Sequence, residues 1–235
     1  MRLPAPDQRG GQIELLERVQ RGIVLVILLA GAASVALGSP SFRGYTGLVI
    51  IPTAHVLDVG EYDFGIMTED TAVSHVSDIF ATYSPREDLE VGINSFQPAG
   101  SNARRPLLNA KYVLAHETDE TCSVAVGLVD FTNEIQASAY AVASKSIIRH
   151  ASIFNSDVIG VRGNIGFGFG GFDALFVGLS VFAGNRIMLS AEWDSKNVNL
   201  GFRFTPIKGL RLHTALFDSG NTDHIGLGIS YTKTY

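Results

Sequence analysis

The sequence predicts an all-β fold, an antiparallel up-and-down transmembrane β-barrel of about twelve strands, from three observations. Only 17% of the residues are charged while 46% are hydrophobic, and soluble domains average roughly 25% charged residues. Glycine is abundant, at 25 of 235 residues, where about 7% is usual. From residue 61 onward, apolar and polar residues alternate in runs of about 9 to 11 residues separated by turn formers, which is typical of a transmembrane barrel.

The N-terminus has the features of an export signal. Two arginines precede an apolar run over residues 23–37, and Ala36 and Gly38 are small residues placed as in a cleavage site. An apolar run of about 15 residues suits a signal peptide and is shorter than the roughly 20 residues that a membrane-spanning helix needs. We therefore predict a cleavable signal peptide over residues 1–38. A retained N-terminal anchor is the alternative.

Residues 39–60 form a separate N-terminal segment, which we predict to be periplasmic. Pro52 cannot donate to a β-ladder, so a regular central strand is excluded there. The pattern predicts a short extended piece and a turn that lead into the first barrel strand. The sequence leaves open whether this segment plugs the barrel.

The predicted barrel occupies residues 61–235. Clusters of Pro, Gly, Asn, Asp and Ser, which are turn formers, separate its twelve predicted strands. Residues 146–157 are the longest uncertain connection, with room for a helical turn. The predicted strands span residues 61–68, 76–84, 87–96, 107–116, 121–131, 135–145, 158–169, 174–183, 187–195, 197–205, 210–217 and 223–233.

The hairpin over residues 189–205 shows the two faces of the predicted wall. One face is apolar and aromatic, and the other carries Glu192, Asp194, Asn199 and Arg203. A soluble sheet with one wet face has the same alternation, and a soluble barrel would turn its apolar face inward. Glycines are interspersed on the polar face of many strands. They suit converging lumen walls better than a wet surface, because glycine in a strand packs against nothing.

The cost of misplaced charge indicates which way the polar face points. An arginine that faces lipid at the bilayer midplane costs about 2 to 4 kcal/mol, so Arg162 and Arg203 must face the lumen of a membrane barrel. A charge withdrawn from bulk water needs a partner, and Glu90, Glu192 and Asp194 lie on the same face. A soluble secreted β-barrel or sandwich that binds a ligand is the rival fold. The predicted lumenal ion-pair network consists of Glu90, Lys111, Arg162, Glu192, Asp194 and Arg203.

The last strand resembles the C-terminal signal that outer-membrane barrels present to their insertion machinery. Its residues are His224, Gly226, Ile229 and Tyr231. Ile229 stands where an aromatic residue is common, and the chain runs on to Tyr235. The resemblance implies the outer membrane of a diderm bacterium as the location, with outer-membrane lipid and the barrel-insertion machinery as partners.

Three stretches resemble the YjbH-like family of outer-membrane proteins associated with exopolysaccharide production. The resemblance implies a barrel that assists exopolysaccharide secretion or envelope assembly, with polysaccharide or polysaccharide-export proteins as partners. This chain is much shorter than the large members of that family. The N-terminal motif is Thr46-Gly47-Leu48, then Pro52-Thr53-Ala54 and Gly60; residues 85–92 read Pro-Arg-Glu-Asp-Leu-Glu-Val-Gly; and the third stretch carries Glu192, Asp194, Asn199, Gly201 and Arg203.

No catalytic, metal or cofactor site is predicted, and the chain is not expected to be an enzyme. Residues 166–171 satisfy G-x-G-x-x-G, but a strand signal follows, and a dinucleotide fingerprint must open a helix. The six histidines lack zinc-ligand spacing. Glu192 and Asp194 share a face with arginine and lysine, which favours ion pairing over a glycosidase pair. The net charge of −5 argues against a nucleic-acid partner, and Cys122 cannot form an internal disulfide.

The predicted function is that of a barrel with a charge-lined lumen that is narrow or occluded. Eight strands are filled by side chains, whereas 16 to 18 strands leave an aqueous channel; twelve lie between, so the sequence leaves open whether the lumen conducts. Assistance in exopolysaccharide secretion or envelope assembly is the first reading. A small general porin or a purely structural outer-membrane barrel is the alternative.

Overall fold

The structure is a computed structural model that describes residues 38–70, 75–152, 158–184, 186–218 and 223–234. Over these residues the chain forms twelve β-strands and no helix, so the predicted all-β antiparallel barrel is confirmed. Within that part of the chain, no helix is long and apolar enough to cross a membrane. The strands are β1 (Glu61–Asp70), β2 (His75–Arg86), β3 (Leu89–Gln97), β4 (Arg105–Ala115), β5 (Ser123–Val129), β6 (Ser138–Ser152), β7 (Val158–Phe169), β8 (Ala174–Ala183), β9 (Ile187–Trp193), β10 (Val198–Ile207), β11 (Leu210–Asp218) and β12 (Asp223–Thr234).

The twelve strands form one closed antiparallel meander. Each strand pairs with its neighbours in sequence, and β1 closes the barrel against β12. The closing register runs from Glu61 opposite Thr234 to Asp70 opposite Ile225. Closure leaves no sheet edge with unpaired main-chain groups. We call the end of the barrel at Glu61 and Thr234 the terminal mouth, and the end at Asp70 and Ile225 the far mouth.

The two faces of the wall are chemically opposite, as the alternation predicted. On the outside, Phe64, Ile93 and Leu227 are 50%, 52% and 57% exposed. On the inside, Lys111 and Arg162 are buried. Successive side chains of a strand point to opposite faces, so the same arrangement repeats around the barrel. An apolar exterior around a polar interior is the reverse of what a soluble barrel shows.

Strand β6 is longer than the sequence indicated. Residues 146–152 belong to β6 and pair with β7, whereas the sequence suggested a connection with room for a helical turn. The pairing shifts register twice, between Ser146 and Ile148 and between Ile148 and Ala151. Such bulges interrupt the regular alternation that identifies a strand. Residues 153–157 and residues 1–37 of the predicted signal peptide (residues 1–38) lie outside the described residues.

Residues 38–58, here called the lumenal segment, lie inside the barrel. Phe42, Leu48 and Ile51 of this segment are almost completely buried. Its atoms form hydrogen bonds with inward-facing side chains of β2, β3, β4, β5, β6, β9 and β10. The sequence assigned residues 39–60 to a periplasmic segment and left open whether it plugs the barrel; the structure places residues 39–57 inside the barrel. The physical reason is the apolar surface of the segment, which water would surround outside the barrel.

The lumenal segment folds back on itself, and both of its ends lie near the terminal mouth. Isolated bridges join Pro40 to Thr46 and Gly47 to Pro52. Gly38 packs closely against Leu57, since a Cβ on Gly38 would lie 2.9 Å from its Cα. The chain then leaves the lumen at residues 58–60 and enters β1. Gly60 makes this corner with a φ of 77°, a left-handed conformation that glycine adopts without strain.

Candidate functional site: the occupied lumen

Glu192 of β9 binds three consecutive main-chain groups of the lumenal segment. Its carboxylate accepts hydrogen bonds from the N–H of Val49 at 2.9 Å, of Ile50 at 2.7 Å and of Ile51 at 3.3 Å. The side-chain amide of Asn199 on the neighbouring strand donates to the same carboxylate at 3.0 Å. A carboxyl group has two oxygens and can accept several hydrogen bonds at once. Glu192 is therefore an anchor for the segment.

Glu90 and Lys111 form a second anchor on β3 and β4. Their side chains are each 2% exposed and lie 3.5 Å apart. Glu90 accepts hydrogen bonds from the N–H and hydroxyl of Thr46 and from the N–H of Leu57. Lys111 donates to the main-chain oxygens of Thr46 at 2.6 Å and His55 at 2.9 Å. The ion pair thus contacts both arms of the folded segment.

Arg203 of β10 is bound by carbonyl groups. Its guanidinium donates to the main-chain oxygen of Pro40 at 2.7 Å and approaches those of Gly47 and Leu48 at 3.4 Å. Its Nε lies 3.2 Å from Nδ1 of His213. A buried guanidinium requires several acceptors because it cannot lose its proton. The segment supplies these acceptors.

The turn of the lumenal segment points toward the far mouth. The guanidinium of Arg43 pairs with Glu69 near the end of β1 and lies 5.6 Å from the ring centre of Phe96. Asn94 donates to the main-chain oxygen of Arg43 at 2.8 Å, and Thr82 donates to that of Gly44 at 2.8 Å. The segment therefore extends from one mouth of the barrel almost to the other.

Two apolar clusters hold the segment in addition to its polar contacts. The first unites Tyr45, Leu48, Ile51 and Ala54 of the segment with inward-facing side chains that include Tyr140 and Phe176. The second unites Phe42 and Val49 with Met67, Phe80, Ala215 and Phe217. Burial of a large apolar side chain stabilises the folded state by about 1.5 to 3 kcal/mol. The segment therefore contributes the apolar core of the barrel.

Glycines on the inner face make room for the segment. A Cβ on Gly178 would lie 2.6 Å from Cδ1 of Leu48, and one on Gly201 would lie 2.7 Å from Cγ2 of Val49. A Cβ on Gly226 would lie 2.6 Å from Cε1 of Phe42. Atoms cannot approach so closely without displacement, because interiors are already close-packed. The glycine-rich polar face is therefore a contact surface for the segment.

The partners expected for the charged network need correction. Arg162 lies 3.6 Å from Glu117, and Arg203 binds carbonyl oxygens, whereas the sequence suggested Glu90, Glu192 or Asp194 for both. Asp194 caps its own turn by accepting hydrogen bonds from the N–H groups of Lys196 and Asn197. For Arg203 the physical reason is that the lumenal segment lies between the opposite walls and supplies carbonyl oxygens as its partners.

The residues of the N-terminal motif all lie in the segment or at its end. Gly47 is close-packed, since a Cβ there would lie 2.5 Å from the main-chain oxygen of Ile51. Pro52 and Thr53 are buried, and the N–H of Thr53 donates to the main-chain oxygen of Thr46. Ala54 donates to Ser144 at 2.8 Å and accepts from Ser123 at 2.9 Å. Gly60 is the corner described above.

The residues of the predicted insertion signal are divided between the two faces of β12. His224 points inward, 3.7 Å from Glu69, and its ring stacks on Phe217. Gly226 also faces the lumen, whereas Ile229 and Tyr231 are exposed on the outside. The signal function of these residues stays a prediction.

His55 is a titratable group of the segment in a cationic environment. Burial lowers the pKa of His55 to about 3, and the charges of Arg162, Lys111 and His116 act in the same direction. Its ring Nε2 has no hydrogen-bond partner among the described residues. His55 is therefore neutral at neutral pH while the segment fills the lumen. In the described part of the chain, no cluster of His, Cys, Asp and Glu has the arrangement of a metal site.

Comparison with known proteins gives similar architectures. The KdgM porin has 12% sequence identity and a TM-score of 0.48, over 73% of this chain and 98% of that chain. The KdgM porin in complex with disordered oligogalacturonate has 12% sequence identity and a TM-score of 0.47, with the same coverage of both chains. The N-terminal β-barrel domain of Pseudomonas aeruginosa OprF has 11% sequence identity and a TM-score of 0.26, over 74% of this chain and 98% of that chain. No family model and no curated protein matches. At such values the likeness does not extend to function, and the YjbH-like resemblance stays a prediction.

Proposed function

We propose that this chain is a porin-like outer-membrane β-barrel whose channel is closed by its own N-terminal segment, and that displacement of the segment opens the lumen to small polar solutes. The observation that carries the proposal is the set of contacts between wall and segment. Glu90 with Lys111 on β3 and β4, and Glu192 with Arg203 on β9 and β10, hold the segment from two opposite sides of the barrel.

The outer surface supports a membrane location. Large apolar side chains such as Phe64, Ile93 and Leu227 are exposed on strands all around the barrel. A water-soluble monomer rarely exposes contiguous apolar surface of more than a few hundred Å². Lipid removes this surface from water, and the closed ladder satisfies the main-chain groups that lipid cannot.

The size of the barrel supports a channel over a purely structural role. Eight strands suffice for a barrel that its own side chains fill, whereas this barrel has twelve. The larger lumen of twelve strands is filled by the lumenal segment, whose two ends both lie near the terminal mouth. Wall glycines such as Gly178 and Gly201 leave room for the side chains of the segment. No described wall strand pairs with the segment, so the main-chain hydrogen bonds of the barrel ladder are complete without it.

The charges of the wall predict which solutes would pass. Within the described residues, acids outnumber bases among the buried side chains of the strands, five to four. Removal of the segment would expose this excess of negative charge to the lumen, and a cleft lined by one sign of charge concentrates counter-ions. We therefore expect a preference for cations. The acids are Asp63, Glu69, Asp78, Glu90 and Glu192, and the bases are Lys111, Arg162, Arg203 and Arg211.

Planar-bilayer recording tests this function with two glycine variants. Gly178→Val places methyl groups where Leu48 and Ile51 pack, so it should displace the segment. Gly160→Val is the matched control, because a Cβ on Gly160 would have no neighbour closer than 3.7 Å. The wild type and Gly160→Val should be closed for most of the time, and Gly178→Val should raise the open fraction at least tenfold. A steadily conducting wild type, or a silent Gly178→Val with a protease-accessible segment, would contradict the proposal.

A role in exopolysaccharide secretion or envelope assembly is the second candidate. One observation favours it: the residues that resemble YjbH-like proteins lie far apart in sequence and contact each other in the barrel. Arg203 approaches the main-chain oxygen of Gly47, and Glu90 accepts from the N–H of Thr46. The test is exopolysaccharide output in a strain that lacks this chain. If exopolysaccharide output is unchanged and Gly178→Val conducts, only the channel function remains supported.

A further inference from the structure

The wall of the barrel recognises main-chain atoms of the lumenal segment. Among the described residues, three wall side chains accept hydrogen bonds from six N–H groups of the segment, and five wall side chains donate to eight of its carbonyl oxygens. Two contacts to polar side chains of the segment accompany them, at Thr46 and Arg43. The acceptors are Glu90, Ser144 and Glu192, and the donors are Thr82, Asn94, Lys111, Ser123 and Arg203.

Main-chain groups are common to every polypeptide, so contacts of this kind do not read sequence. Peptide-binding proteins use the same division, in which main-chain hydrogen bonds supply affinity and pockets for side chains supply specificity. Two wall side chains make most of these contacts. Glu192 accepts hydrogen bonds from three successive N–H groups, and Arg203 donates to the carbonyl oxygen of Pro40 and approaches those of Gly47 and Leu48. The lumen thus has the chemistry of a peptide site.

Apolar pockets add a limited selectivity. Phe42 occupies a pocket against Phe217, with ring centres 5.4 Å apart. Tyr45, Leu48 and Ile51 enter the pocket that Tyr140 and Phe176 line. Inward glycines lie beneath these side chains, which limits the bulk that the lumen accepts. A ligand therefore needs apolar side chains at these spacings and an uncharged stretch near Glu192.

We propose that the lumen is a polypeptide-binding site, which, once the segment has left, binds an apolar polypeptide segment that is folded back on itself and supplied in trans. The segment's own sequence is one such ligand. The proposal rests on the proposed function in one respect, namely that the segment can leave an intact barrel. Polysaccharide lacks the row of N–H donors that Glu192 accepts, so the occupied site favours a polypeptide.

The test uses the full chain, cut after it has folded. A specific protease site is inserted between Val59 and Gly60, where Val59 is 50% exposed at the terminal mouth. The assembled barrel is cleaved and washed in detergent, and a fluorescein-labelled synthetic peptide of residues 39–58 is added. We expect saturable binding by fluorescence anisotropy. A peptide N-methylated at Val49, Ile50 and Ile51 should compete at least tenfold more weakly, because it lacks the three donors to Glu192.

Variants of the wall complete the experiment. If the freed segment stays bound through washing, its retention is itself binding in trans, and Glu192→Gln should release it. Asp194→Asn is the matched control, since Asp194 accepts main-chain hydrogen bonds from its own turn. A segment that is lost and not rebound, equal competition by the N-methylated peptide, or retention in Glu192→Gln would overturn the proposal. So would displacement of the peptide by neutral oligosaccharide at equal concentration.

Failure of this proposal and failure of the channel function are distinguishable. Loss of the segment with a rise in conductance, but without peptide binding, would overturn the peptide site and leave the channel. Peptide binding without any conductance from the emptied barrel would overturn the channel and leave the peptide site. Closure of an open cut barrel by the added peptide would support both.

Discussion

The carboxylate of Glu192 accepts a hydrogen bond from the N–H of Val49 at 2.9 Å, across 143 residues of the chain. Ile50 and Ile51 donate to the same carboxylate. A typical intramolecular hydrogen bond contributes about 0.5 to 1.5 kcal/mol. One side chain of the wall thereby sets the position of the middle of the lumenal segment.

Replacement of Glu192 should loosen the segment and spare the barrel. Glu192→Gln keeps the shape of the side chain and removes its charge, so we expect the ratio of open to closed channels to rise roughly 10- to 100-fold, about 1.4 to 2.8 kcal/mol. Limited proteolysis of residues 38–58 in folded protein measures the effect. Asp194→Asn should match the wild type, and equal protection in both variants would refute this anchor.

Arg203 should contribute to stability mainly through the segment. Arg203→Met removes the donors to Pro40, Gly47 and Leu48 and leaves these buried oxygens unsatisfied, at a cost of about 1 to 3 kcal/mol for each lost partner. We expect the segment to become protease-sensitive at a lower temperature than that of barrel unfolding, which is followed by heat modifiability on gels. Simultaneous loss of both signals would show that Arg203 supports the wall itself.

Replacement of one member of the buried pair of Glu90 and Lys111 should destabilise the protein more than replacement of both. Removal of one partner leaves an uncompensated charge and costs about 3 to 5 kcal/mol. Lys111→Met alone should therefore lower the unfolding temperature more than the double variant Glu90→Gln with Lys111→Met. A double variant that equals the sum of the two single effects would show that the pair is not coupled.

Acid should weaken closure through His55. The pKa of His55 is lowered to about 3 by burial and by neighbouring cations, whereas a released histidine titrates near 6.5. The occupied lumen requires the neutral ring, so its stability is complete above pH 6.5 and falls as the pH drops from about 6.5 toward 3, by up to tenfold per pH unit. The open fraction of the wild type should rise over this interval, and that of His55→Gln should rise less. Identical pH profiles would contradict this role.

The outer face offers a test of the lipid contact. Ile165 lies near the middle of β7 and is 53% exposed, while Phe169 ends that strand. Ile165→Arg should cost about 2 to 4 kcal/mol in lipid, and Phe169→Arg about 0 to 1 kcal/mol. Folding yield into lipid vesicles, read from heat modifiability, compares the two variants. Equal yields would contradict a bilayer centred on the strands.

The strands could be predicted because their signal is local. Alternation of apolar and polar residues with a period of two located all twelve strands and the direction of both faces. It failed where the ladder is irregular, as in β6 after Ser146, because a bulge changes which side chain faces inward. The partners of Arg162 and Arg203 were also missed, since a shared face does not determine which groups meet across a lumen.

The occupied lumen could not be predicted because its contacts join residues far apart in the sequence. Thr46 meets Glu90, and Pro40 meets Arg203, without any periodic signal. One signal was present: Tyr140 of β6 and Phe176 of β8 are large aromatic residues that point inward. Apolar side chains that face a lumen need an apolar partner inside it, and the N-terminal run containing Leu48 and Ile51 is that partner.

Closure of the lumen by residues 38–58 is most directly tested by recording the same population of barrels in a planar bilayer before and after cleavage between Val59 and Gly60. We expect a closed barrel before cleavage, and a stable cation-preferring conductance after the freed segment has been washed away. Conductance that is already present before cleavage and unchanged after verified loss of the segment would contradict it.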